Sequence, residues 1–149
     1  MRIAEICTRH VVAVEADASV REAAGVMRKQ HVGSLVVTQQ PDGERIPIGF
    51  VTDRDIVLGV VAAGIDADAL AVADIMSGDV ATCTESEDIF DAIQTMRSRG
   101  IRRLPVLNGN GGLAGMVSAD DIYSALSTHM HELTAALTGE QVHEMASRT

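Results

Sequence analysis

Gly49-Phe50-Val51-Thr52-Asp53-Arg54-Asp55-Ile56 recurs 66 residues later as Gly115-Met116-Val117-Ser118-Ala119-Asp120-Asp121-Ile122. Each copy passes from a short apolar run through a hydroxyl residue to a carboxylate three positions on. A Ser or Thr at the N-cap with an acid at the third helical position is the capping-box pattern, and the helix dipole favours the negative charge there. The phrase therefore reads as a strand running directly into a helix. The same geometry has a second use. A hydroxyl and a carboxylate at a helix start present acceptors suited to the two hydroxyls of a ribose, beside amides suited to an anion.

Working outward from the phrase, the two copies extend in both directions. Upstream the offset is 69: Val11 aligns with Val80, Ala23 with Ala92, Met27 with Met96, Leu35 with Leu104 and Val37 with Val106. The change to 66 falls in a loop three residues longer in the first copy, Gln40-Pro41-Asp42-Gly43 against Asn108-Gly109-Asn110-Gly111-Gly112. Both stretches carry turn chemistry. The lead-ins agree as well, Ile6-Cys7-Thr8 with Ile75-Met76-Ser77. The chain is thus two copies of one unit, 1–66 and 67–127, followed by a tail, 128–149.

Each unit reads as β-α-β-β-α. Strands are expected at Val11–Val14 and Val80–Cys83, at Ser34–Val37 and Leu104–Leu107, and at Ile48–Thr52 and Ala114–Ser118. The first helix opens on Ser19-Val20-Arg21-Glu22, a full capping box, with Val20, Ala23, Ala24 and Met27 at helical spacing. Asp88 caps its counterpart, which carries Ile89, Ala92, Ile93 and Met96 on one face. A unit of roughly 60 residues struggles to bury enough apolar surface alone. The expected fold class is therefore α/β (α+β): two units packed sheet to sheet about a pseudo-twofold axis around one shared core. Beyond them Ile122, Leu126, Met130, Leu133 and Leu137 form an amphipathic stripe. That C-terminal helix is expected to end near Thr138, where Gly139 breaks it, and its stripe needs cover from the module or a second chain.

Composition narrows the function. Of 149 residues, 46% are hydrophobic and 2% aromatic, so the core is aliphatic. Twelve Lys and Arg against twenty-one Asp and Glu leave a formal charge of −9. Such a field repels polyanions, and the scarcity of aromatics removes stacking platforms, which argues against nucleic-acid binding. The N-terminus, Met1-Arg2-Ile3-Ala4-Glu5, has no signal-peptide core, and the longest apolar run, Ile56 to Ile65, is interrupted by Gly59 and Gly64. No membrane association is expected and the cytoplasm is the expected location. Cys7 and Cys83 make neither a disulfide framework nor a zinc site and read as buried structural thiols. His10, His31, His129, His131 and His143 sit in no nucleophile motif, and His129 and His131 point to different sides of a helix. No Gly-x-Ser-x-Gly or Walker-type loop occurs. The chain is not expected to be an enzyme, to hold a metal or to require a cofactor.

Two copies of Gly-x-Val-Ser/Thr-x-x-Asp, Ile-Met-Ser ahead of the first strand, and Arg102-Arg103-Leu104-Pro105-Val106 together resemble the CBS (cystathionine-β-synthase) domain. A tandem pair of these is a Bateman module, and the resemblance covers residues 3 to 127. It implies a regulatory sensor whose clefts between the repeats take AMP, ADP, ATP or S-adenosylmethionine as a regulatory ligand, commonly as a homodimer signalling to another protein. Carried over by position, Thr52 and Asp55 would hold the ribose in one cleft, and Ser118 and Asp121 in the other. Adenine would lie against Thr8, Val12, Val32, Gly33 and Ser34 in the Asp121 cleft, and against Ser77, Ala81 and Ile101 in the Asp55 cleft. Phosphate would meet Arg102 and Arg103, with Arg54 as a further candidate. The first unit departs from this pattern, with Gly33-Ser34 where the second has Arg102-Arg103, so the clefts differ in charge. Micromolar affinity requires about 8 kcal/mol. Ribose hydrogen bonds to a carboxylate supply about 1–3 kcal/mol, so an aliphatic adenine slot must provide much of the rest. The competing reading from the same residues is a dimeric scaffold with degenerate clefts, acting through the C-terminal helix.

Overall fold

The computed structural model describes residues 1–148. The first unit contains β1 (Ala13–Glu15), α1 (Val20–Gln30), β2 (Ser34–Gln39), β3 (Ile46–Thr52) and α2 (Asp53–Ile56), which continues as a π-type turn over Val57–Val61. The second contains β4 (Cys83–Thr84), α3 (Ile89–Arg99), β5 (Arg103–Leu107), β6 (Leu113–Ser118) and α4 (Ala119–Ser147). Each sheet has three strands in sequence order, the first pair parallel and the second antiparallel. Each also has one irregularity in its hairpin, at Val37/Thr38 and at Val106/Leu107. The parallel crossover is the helix between them, as the spacing of Ala23 and Met27 predicted.

Helix starts and stops follow local chemistry. Ser19 Oγ accepts the Glu22 amide at 3.1 Å. The return bond from Glu22 is not made, so only half of the expected box forms. The backbone at Ser19 is flanked by the second unit's lead-in, with the Val20 amide on Leu70 O and the Val72 amide on Ala18 O. At α3 the box is complete: Asp88 Oδ1 accepts the Phe90 amide at 3.0 Å, and Asp91 receives the Asp88 amide at 3.4 Å. Both helices end on a left-handed residue, His31 (φ 55) in α1 and Gly100 (φ 65) in α3. These positions are equivalent at the offset of 69, so a histidine adopts a conformation its counterpart reaches without a Cβ.

Three expectations are corrected. The first strands are shorter and later than Val11–Val14 and Val80–Cys83, because the residues ahead of them run across the other unit before entering the sheet. Burial falls into two clusters rather than one shared core. One gathers Ala23, Met27, Leu35, Val37, Val51 and Val72; the other Ile3, Ile89, Ala92, Met96, Leu104, Val106, Val117 and Ile122. Each cluster borrows a residue from the opposite lead-in: Ile3 is buried in the second unit, Val72 in the first. The Ile3 and Ala4 amides bond Glu87 O and Glu85 O, while Val72 and Ala73 bond Ala18 O and Ala16 O. Swapped lead-ins tie together two cores that are each small. The third correction concerns α4, which runs through Gly139 to Ser147. One glycine in a helix interior costs about 1 kcal/mol, too little to stop a helix of this length.

The longer hairpin loop of the first unit also ties the halves. Arg45 O accepts the Leu113 amide at 2.7 Å, and Glu44 accepts from Asn108 Nδ2 at 3.3 Å. Beyond Leu126 the apolar stripe of α4 lies open: Met130, Leu133 and Leu137 are 63%, 55% and 55% exposed.

Candidate functional site

The repeated phrase folds the same way twice. Thr52 (φ −115, ψ 162) and Ser118 (φ −111, ψ 161) end their strands in extended conformation and cap the helices that follow. Thr52 Oγ1 accepts the Asp55 amide at 3.1 Å, and Asp55 Oδ2 accepts the Thr52 amide at 2.9 Å. At the second copy the corresponding distances are 3.0 and 2.9 Å. Both are complete capping boxes. Each engages one carboxylate oxygen, leaving the other without a hydrogen bond among the described residues and each carboxylate fixed in direction. Capping occupies one atom of each carboxylate and leaves the other, pre-oriented, to accept from a donor such as a hydroxyl.

The glycine opening each phrase explains how the two units meet. A lead-in crosses the last strand of the other unit, pairing Thr8 with Met116 and Ser77 with Phe50. A Cβ on Gly49 would stand 2.2 Å from Ser77 O, and one on Gly115 would stand 2.7 Å from Thr8 O. Backbone approaches that close admit only glycine. The crossing sets Thr8, with the chain that follows it, against Ser118 and Asp121.

A cavity of about 270 Å³ opens there. Thr8, Val12, Val32 and Ser34 of the first unit line it together with Ser118, Asp121 and Arg103 of the second. Six of the residues expected in the Asp121 cleft are thus brought to one place, joined by one expected phosphate contact. Gly33 is not among its lining residues; the Asp53 carboxylate lies against it, 3.0 Å from where a Cβ would stand. Sequence reasoning missed His10, Val11, Val36, Phe50 and Met116, which also line the cavity. The residues preceding Val51 and Val117 carried a usable signal, since alternation along a strand turns every second side chain to the same face.

A second cavity, about 480 Å³, adjoins the first and shares Ser34, Phe50, Arg103 and Ser118 with it. Thr52, Ile101 and Arg102 line it as well. Asp55, Ser77, Ala81 and Arg54 line neither cavity. Asp55 is half-buried in its box, Ser77 is engaged in the strand crossing, and Arg54 is an exposed first-turn residue. Arg102 is not free: it pairs with Asp120 at 3.2 Å on the surface. Arg103 makes no ion pair among the described residues.

Cys83 is buried and Cys7 half-buried, both free thiols. Burial first, and then the Glu87 carboxylate, pushes the Cys83 thiol up to about 12. Among the described residues no group of three or more His, Cys, Asp or Glu side chains could hold a metal ion. No helix among them is long and apolar enough to cross a membrane.

Two β-α-β-β-α units joined by crossed lead-ins define a paired-repeat module with a cavity lined from both halves. The chain belongs to the CBS domain family, whose model matches residues 3–61 and 72–128. It is 37% identical over 120 residues to an uncharacterised protein of Methanopyrus kandleri, covering 80% of this chain but only 60% of that relative. It is 32% identical to the CBS domain-containing protein YhcV of Bacillus subtilis, over 80% of this chain and 81% of that one. Among solved structures, a CBS domain protein of Pyrobaculum aerophilum, complexed with AMP, superposes with a TM-score of 0.67 at 31% identity. That match covers 81% of this chain and 89% of the other.

Proposed function

We propose that the chain is a regulatory module that binds an adenosine-containing nucleotide, AMP, ADP, ATP or S-adenosylmethionine, between its units and signals to a partner protein. The observation that carries this reading is the cavity beside Asp121. An aliphatic slot from the first unit, Val12 and Val32, faces a hydroxyl–carboxylate pair from the second, Ser118 and Asp121. Adenine would occupy the slot and ribose the pair, with phosphate toward Arg103. In the second cleft Thr52 and Asp55 would play the ribose role with Ile101 against the base. The AMP complex of the Pyrobaculum aerophilum relative supports the ligand class.

A ligand touching both units favours the arrangement in which they are closest, so binding shifts any surface coupled to their relative position. That is the basis for signalling without catalysis. Isothermal titration with AMP, ATP and S-adenosylmethionine tests the reading. Saturable binding of at least one is expected, and silence toward all three at millimolar ligand would overturn it.

One observation favours a second role. The open stripe of Met130, Leu133 and Leu137 on α4 suits a homodimer contact, in which the module is also a scaffold. Sedimentation of the full chain and of a chain ending at Leu126 separates the roles: the shorter chain becomes monomeric while ligand binding persists.

A further inference from the structure

The two clefts do not have an unpaired guanidinium each. The pseudo-twofold mates of Arg102 and Arg103 are Gly33 and Ser34, so the first unit contributes no basic pair. In its place the Asp53 carboxylate lies against Gly33, where the second unit has Ala119. Arg102 is occupied by Asp120. Arg54 stands outside both cavities. That leaves Arg103 as the unpaired guanidinium at the site, and it lines both cavities.

We infer that Arg103 is shared by the two clefts, so that the module holds one phosphorylated adenosine ligand at a time and its other cleft takes an adenosine compound without phosphate. This rests on the adenosine reading above. A nucleotide phosphate carries close to two negative charges at neutral pH. Cavities that share four lining residues are too near for salt to decouple, since screening acts over about 10 Å at 0.1 M. The first phosphate takes the guanidinium. A second would enter beside that phosphate and the Asp120 carboxylate, with only Arg102, already paired to Asp120, left to meet it. An uncharged nucleoside meets no such penalty, because its base and ribose contacts do not involve Arg103. The clefts are therefore coupled negatively for charged ligands and independent for neutral ones.

The experiment is a calorimetric titration of the full chain with AMP and, separately, with adenosine. Adenosine is expected to reach two per chain, while AMP reaches one, its second equivalent binding at least tenfold more weakly. Ser34→Arg installs the second unit's residue at the equivalent place and is expected to raise AMP to two per chain. Arg103→Ser is expected to weaken AMP at least tenfold and adenosine less than threefold. In the wild type, AMP added to the adenosine-saturated module displaces one of two nucleosides by NMR, which keeps the test sound should Ser34→Arg fold poorly. Two equivalent AMP sites, or a folded Ser34→Arg still binding one, would overturn the inference while leaving the adenosine reading intact. So would adenosine stopping at one per chain, since the second cleft would then be closed rather than charge-limited. Silence toward both ligands would remove the adenosine reading itself.

Discussion

Replacing Gly49 with alanine tests whether the repeated phrase begins with glycine because another backbone passes there. The added Cβ would stand 2.2 Å from Ser77 O and 3.2 Å from Met76 Sδ. A carbonyl cannot yield like a flexible side chain, so the lead-in must retreat by roughly 1 Å, overpacking that typically costs about 1–3 kcal/mol. The retreat stretches two backbone bonds, Phe50 N to Ser77 O at 3.0 Å and Ser77 N to Phe50 O at 2.8 Å. Their loss adds about 0.5–1.5 kcal/mol each, so Gly49→Ala should cost about 2–6 kcal/mol. Gly115→Ala meets Thr8 O at 2.7 Å and needs a smaller retreat. It should cost about 1–2 kcal/mol. Gly25→Ala, inside α1 with nothing within 4 Å of its Cβ, is the control. It should stabilise by about 0.5–1 kcal/mol. Urea unfolding followed by far-ultraviolet circular dichroism measures all three. A Gly49→Ala chain within 0.5 kcal/mol of wild type (roughly the scatter of neutral surface changes), or one less damaged than Gly115→Ala, refutes the crossing argument.

Further outcomes follow from the same geometry. Asp121→Asn keeps an oxygen for the Ser118 amide but loses the charge, so stability should fall by no more than about 1 kcal/mol; AMP affinity should fall at least fivefold by calorimetry, and a melting-temperature change without an affinity change would leave capping as the residue's sole role. His31→Gly relieves a left-handed conformation at the end of α1 and should stabilise by about 0.5–1 kcal/mol in urea unfolding. The raised Cys83 thiol sets a pH dependence: below its ordinary value of 9.0 both folded and unfolded chains hold the proton, whereas between 9.0 and about 12 only the folded chain does. Stability should therefore fall as pH rises through that window, and Cys83→Ala should flatten the decline when unfolding is compared at pH 8 and 10.5. Ending the chain at Leu126 should change module stability by less than about 0.5 kcal/mol, because residues beyond it enter neither buried cluster.

What was legible in the sequence was what is local. Thr52 with Asp55 and Ser118 with Asp121 write their capping boxes within four residues, and the chain forms them; Asp88 caps α3 as read, while the box read at Ser19 and Glu22 forms only by half. The runs at Ala114–Ser118 and Leu35–Val37 gave their strands for the same reason, the first beginning one residue earlier, at Leu113. The crossing lead-ins were not legible. Ile3 completes the second unit's core and Val72 the first's, and nothing near Ile3 announces a partner more than eighty residues away. The single shared core expected from domain size failed on that point, since swapping lead-ins fastens two small cores without merging them. Gly139 misled because propensity was read without helix length. Thr8, Val12, Val32 and Ser34, which line the cavity beside Asp121, were named through the resemblance to the CBS domain and carried over by position, not through any local signal. The surroundings of Asp55 and the capture of Arg102 by Asp120 depend on how the units lean and which side chains reach each other, and an offset carries neither.

The most direct test of a ligand held from both sides is an amide-resolved NMR titration of the labelled chain with AMP. Resonances of Thr8, Val32 and Ser34 from one unit should move together with those of Ser118 and Asp121 from the other, along one saturation curve, while residues 130–147 stay still. Shifts confined to a single unit, or none up to millimolar AMP, would contradict the account.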